Sequence, residues 1–148
     1  MRDLANNTNT VVVVAPAVIT ADTNGTGVDL QGFKSCVLSV STGVEGDTLS
    51  GSVKFDFYLE ESSDNSSFSA VTSNKSVTGK GVDSNGIFLT LDANGETPQI
   101  QTIGYIGASR YVRVRIDATG SHSNGTPMSI TGVQGDPVDA TDSYSVVS

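Results

Sequence analysis

The residues able to do chemistry are few, and they stand apart from one another. His122 is the only histidine and Cys36 the only cysteine. A Ser/His/Asp relay needs its imidazole held rigidly by a partner group. His122 sits in Ser121-His122-Ser123-Asn124-Gly125, a run of small polar residues that reads as an exposed loop tip. One histidine and one cysteine cannot build a structural zinc site, and no Gly-rich phosphate loop with its lysine is present. The expectation is a protein that catalyses nothing and carries no cofactor. Cys36 lies in the apolar run Cys36-Val37-Leu38-Ser39-Val40 and reads as a small buried hydrophobe. A single cysteine also rules out an intrachain disulfide.

Three segments begin like calcium loops with oxygen ligands: Asp22-Thr23-Asn24-Gly25, Asp83-Ser84-Asn85-Gly86 and Asp92-Ala93-Asn94-Gly95-Glu96. None continues to the distal glutamate of a full loop. The same pattern is ordinary hairpin sequence, because Asp bonds its own backbone and Asn-Gly tolerates the positive φ of a tight turn. These segments, with Asn124-Gly125, are read as turns, and no metal is expected. The row Tyr111, Arg113, Arg115 concentrates cations and an aromatic ring on one strand face. Two readings are open. The row pairs across strands with Asp56, Tyr58 and Glu60, or it meets another protein, where Arg and Tyr are over-represented, and the two can hold together.

The whole chain supports the second class of role over catalysis. Its 148 residues suit one domain. Charged residues make up only 16% and the net charge is −8. Phosphate binding needs clustered cations, so an acidic chain argues against nucleic acid as a partner. The apolar stretch 11–14 is far too short to span a bilayer, and the polar start lacks the apolar core of a secretory signal. A soluble protein made in a cytoplasm is expected.

Period-two alternation dominates, and no long window shows helical spacing. Over residues 52–60, Val53, Phe55, Phe57 and Leu59 face one way and Lys54, Asp56, Tyr58 and Glu60 the other. Over 110–117, Val112, Val114 and Ile116 face inward. Ile87, Leu89 and Leu91 form a third inward row, and Cys36, Leu38 and Val40 a fourth. Weaker strands are predicted at 10–14, 68–72, 99–106 and 128–133. The expected fold is all-β, a single antiparallel β-sandwich or jelly-roll-like domain over 10–135. Residues 1–9 and 136–148 are polar and read as extended N- and C-terminal arms.

The opening Ala15-Pro16-Ala17-Val18-Ile19-Thr20-Ala21-Asp22 and the later Gly27-Val28-Asp29-Leu30-Gln31-Gly32-Phe33 resemble a group of small structural proteins of tailed bacteriophages. The phrase Phe57-Tyr58-Leu59-Glu60-Glu61-Ser62-Ser63-Asp64 and the stretch from Gly104 to Val114 are similar to the same group. The resemblance covers roughly residues 11–134. It implies a virion component, and proteins of this kind often decorate the capsid. The expectation is therefore a capsid decoration (cement) protein, made in the host bacterial cytoplasm and bound to the capsid surface. Its expected partners are the major capsid protein and further copies of itself, as a trimer or dimer. Candidate contact residues are Arg2, Leu4, Asn6 and Asn7 of the arm, the apolar strand Val11, Val12, Val13 and Val14, and the face of Tyr111, Arg113 and Arg115. An arm of this kind binds by strand addition. The alternatives are a carbohydrate- or receptor-binding sandwich on a tail fibre, disfavoured by the lack of Trp, and a tail or head-completion protein.

Overall fold

The computed structural model describes residues 3–137. Eleven strands follow in order: β1 (Thr8–Ile19), β2 (Thr23–Asn24), β3 (Val28–Asp29), β4 (Phe33–Thr42), β5 (Lys54–Ser62), β6 (Ser69–Ala70), β7 (Val77–Thr78), β8 (Ile87–Leu91), β9 (Gln99–Tyr105), β10 (Tyr111–Thr119) and β11 (Thr126–Pro137). Short 3-10 turns at Ala5–Asn7 and Asn74–Ser76 are the only helical pieces among the described residues.

All pairings are antiparallel, and the strands form two sheets. The first, sheet A, has the order β1-β11-β4-β9-β7; the second, sheet B, runs β2-β10-β5-β6, with β3 also on β10 and β8 also on β5. Taking β2 with β3 as one strand and β8 as the main partner of β5, the eight principal strands stand in the order 1-8-3-6 and 2-7-4-5. That is the jelly-roll arrangement of two Greek keys. The sheets pack face to face over one apolar layer. Leu38, Val40, Ile103 and Ile130 come from sheet A and Phe55, Phe57, Leu59, Val112, Val114 and Ile116 from sheet B, all essentially without solvent exposure. Period-two alternation puts these residues on one side of each strand, and burying that side is what the hydrophobic effect rewards.

Several expectations change. The third inward row is not Ile87, Leu89, Leu91. Phe57 pairs with Leu89 but Tyr58 with Ile87, so a bulge inserts Phe88. Phe88 and Leu91 are buried, whereas Ile87 and Leu89 are only partly so. β1 does not stop at Val14. It continues through Pro16 to Ile19 by way of register shifts between Val12 and Val14 and between Val14 and Ala17. Proline is tolerated there because β1 is an edge strand. Of the four Asn-Gly pairs, Gly86, Gly95 and Gly125 adopt positive φ. Gly25 does not; it lies between β2 and β3 on the edge of sheet B, where its N–H donates to the Val114 carbonyl and a Cβ would stand 2.5 Å from that oxygen. Asp83 accepts hydrogen bonds from the Asn85 and Ile87 N–H groups, as a turn-forming carboxylate does.

Of the segment expected as an N-terminal arm, Thr8 and Asn9 already belong to β1, opposite Gly135 and Gln134. Before them, the Asp3 carboxylate accepts from the Asn6 N–H and side-chain amide, and Asn7 N–H donates to the Leu4 carbonyl. Asp136 and Pro137 close β11, and residues 138–148 of the expected tail lie outside the described residues. Gln134, buried beneath β1, ties the layers together. Its amide oxygen accepts from Asn9 at 2.8 Å and its amide nitrogen donates to the Asp29 carbonyl of β3.

Cys36 is buried in β4, and burial pushes its thiol pKa up to about 11. The thiolate is the reactive form. Iodoacetamide is therefore expected to leave the native protein unmodified and to alkylate Cys36 only in denaturant, read by intact-mass spectrometry.

Candidate functional site

Sheet B turns outward the row that the sequence marks as interesting, and that row satisfies itself. Arg113 on β10 faces Glu60 on β5, and Arg115 faces Tyr58. One Glu60 oxygen accepts from Arg113 Nε at 2.9 Å and lies 2.9 Å from its Nη2, and the other accepts from Arg115 Nε at 3.0 Å. The Arg113 guanidinium lies over the Phe68 ring at 3.9 Å and that of Arg115 over Tyr58 at 4.0 Å, where the π-faces attract the cations. Glu60 is buried, as is Asp56, which accepts from Thr90 at 2.6 Å and pairs with Lys54 at 3.2 Å. At the rim, Arg110 grips Asp29 with two bonds of 2.9 Å. Those bonds, with one from the Gln31 N–H, hold the Asp29 pKa down to about 2. The cross-strand reading thus describes the geometry of Arg113 and Arg115, whereas Tyr111 stands opposite Ser62 with the Arg110 guanidinium 5.1 Å from its ring centroid. The two guanidinium charges are met within the molecule.

His122 is not on an exposed tip. Its ring is buried against Phe55, with centroids 4.1 Å apart. Nε2 lies 2.9 Å from the Thr119 carbonyl oxygen and 3.2 Å from that of Lys54. Both are acceptors, so Nε2 carries the proton. Nδ1 faces the Asp47 carboxylate at 3.9 Å without a hydrogen bond, and Asp47 itself accepts from the Asn124 and Gly125 N–H groups. This imidazole packs a loop onto the end of the sandwich.

The outward face of sheet A has the opposite character. The inward positions are Cys36, Leu38, Val40 and Thr42 on β4 and Met128, Ile130 and Gln134 on β11. Alternation sends their neighbours outward, and the register aligns these across four strands. One row is Val12, Thr131, Ser39, Thr102. The next is Thr10, Val133, Val37, Gly104, continued by Thr78 of β7. A third is Ser129, Ser41, Ile100. No ionisable side chain stands in these rows. Among the described residues, the exposed large hydrophobics within strands are Val12 at 59%, Val18 at 56%, Val37 at 41% and Ile100 at 70%, and all four face this way. Leu4, from the N-terminal turn, borders a groove of about 550 Å³ on the same side, with Val37, Val133 and Pro137.

The contact residues expected from sequence are therefore dispersed. Val12 and Leu4 lie on or beside the uncharged face. Val13 and Val14 are buried in the core and present nothing to a partner, and Val11 is half-buried against it. Asn6 and Asn7 are engaged in the turn with Asp3, and Arg2 lies outside the described residues. Val37, Val133 and Ile100 were missed. Their signal was an apolar residue out of phase with the inward row of its own strand.

Glu60→Gln leaves two half-buried guanidinium groups without their counter-charge. We expect a loss of about 2 kcal/mol, since the arginines retain some solvent, and a Tm lower by about 7 °C in thermal denaturation. Asp29 has a folded pKa below its unfolded value, so its pairing contributes stability above the usual carboxylate range. That contribution is lost as pH falls from about 4 towards 2. In an NMR titration, Arg110→Ala is expected to raise the Asp29 midpoint.

No protein-family profile matches the chain, and no curated protein matches it in sequence.

Proposed function

We propose that this chain is a capsid decoration protein of a tailed phage, which lays the outer face of sheet A against the shell formed by the major capsid protein. The observation that carries this reading is the uncharged outer face. Depletion of charge is the compositional mark of an interface core. Hydroxyl and β-branched side chains lose water at far less cost than ions do. An acidic chain that clears one whole sheet face of charge, while keeping an ion network on the other, has a side suited to contact with protein.

The face also suits weak, repeated attachment. Four strands about 4.8 Å apart, over some six residues each, give a flat footprint of roughly 400 Å². A stable specific complex uses about 800 Å² per partner. The rows hold no aromatic or arginine anchors of the kind that dominate tight interfaces. Binding strength then comes from many copies, or from copies joined to one another, each adding effective concentration to the next. Spread over a shell, such contacts resist the separation of subunits under internal pressure. The resemblance of residues 11–134 to small structural proteins of tailed phages points the same way.

The test is cosedimentation of the full chain with empty shells assembled from the major capsid protein of its phage. Ile100→Glu and Val37→Lys place charge on the exposed face and are expected to reduce shell binding at least about tenfold while leaving Tm unchanged. Tyr111→Ala is expected to bind as the parent does. Full binding by both charged variants overturns the reading.

A further inference from the structure

β1 is the free edge of sheet A, and its two halves differ. The second half is guarded: two register shifts and Pro16 disrupt it, which are standard devices for blocking an edge. The first half, residues 8–12, carries none of them. No charged residue occurs between Asp3 and Asp22, so the lysine that often blunts edges is also missing. Alternate N–H and C=O groups of this half point away from β11, as in any edge strand. A cleft of about 380 Å³ opens beside it, walled by Val11, Val12, Thr26, Gln31 and Asp29, whose charge is already met by Arg110. The free stretch ends at Val13, whose carbonyl accepts from the Thr26 N–H at 2.9 Å. The result is a short, straight, uncharged and open edge of set length.

The geometry points to a second copy of this chain as the occupant: residues 8–12 of two molecules pair antiparallel about a twofold axis near Thr10. Three features favour a copy over another strand. The occupant has to be extended and uncharged, and β1 is already both, so no ordering cost arises on pairing. Antiparallel pairing of like with like is self-complementary, which a twofold interface requires. Each molecule carries a net charge of −8, and this stretch brings no charge of its own to the contact, while Asp29 beside it is paired with Arg110. Pairing joins the two A sheets into one ten-stranded sheet. The rows Thr8, Thr10, Val12 of both copies then make the uncharged faces continuous and double the footprint available to a shell. The inference stands beside the docking reading and does not depend on it.

Five paired residues form a small contact, so association is expected to depend on concentration. Sedimentation velocity of the full chain is expected to show the weight-average mass rising towards that of a dimer. Thr10 is exposed and its substitution leaves the core intact. Thr10→Lys and Thr10→Asp each place like charges opposite one another and are expected to weaken dimerisation by about fivefold. An equimolar mixture of the two restores it, since the charges at the axis are then opposite. Ile100→Glu leaves the dimer unchanged. A chain that stays monomeric at all soluble concentrations overturns the inference, as does a dimer indifferent to both Thr10 variants or a mixture without rescue. A monomer that still binds shells removes the inference and keeps the docking reading; a dimer that ignores shells does the reverse.

Discussion

The shared apolar layer between the sheets constrains everything outside it. Leu38, Val40, Ile103 and Ile130 meet Phe55, Phe57, Val112 and Val114 there, and each strand gives that layer every second residue. The remaining half of each strand is left to solvent or to partners. Nothing in the core dictates what those outward positions hold. Sheet B fills them with Lys54, Asp56, Glu60, Arg113, Arg115 and Asp117, and sheet A with Ser, Thr, Val, Ile and Gly.

The two outer faces solve different problems. On sheet B, burial of Glu60 is tolerable because two guanidinium groups surround it and two aromatic rings cover them in turn. Such a network is costly to break from one side and gives rigidity to the β5–β10 pair. On sheet A the outward rows hold no ionisable side chain, so no comparable network forms there. The jelly-roll order does not choose between coat, lectin and other roles by itself. The distribution of charge over it is the more informative feature.

The inward rows of β4, β5 and β10 were legible in the sequence, because strict alternation in Phe55, Phe57, Leu59 and in Val112, Val114, Ile116 leaves one solution. Phe88 was not, since its place depends on a bulge set by the partner strand β5. β1 looked finished at Val14 because Ala15-Pro16-Ala17 resembles a break, and only its edge position permits the proline. His122 sits among turn-forming residues, yet Phe55 and the Lys54 carbonyl, both far away in the chain, bury it together with the nearby Thr119 carbonyl. The candidate face was hidden for the same reason. Val37 and Ile100 are ordinary strand residues until the register sets them in rows with Val133, Ser41 and Thr102. Long-range pairing carries that information, and local pattern does not.

The asymmetry between the faces acts before any contact is made. A body of charge −8 nearing another acidic surface feels repulsion over about a Debye length, roughly 8 Å at physiological salt. The repulsion is least when the neutral side leads. Against such a surface, an approach with sheet A first is the least opposed. A surface emptied of ions selects its own angle of landing without attracting anything.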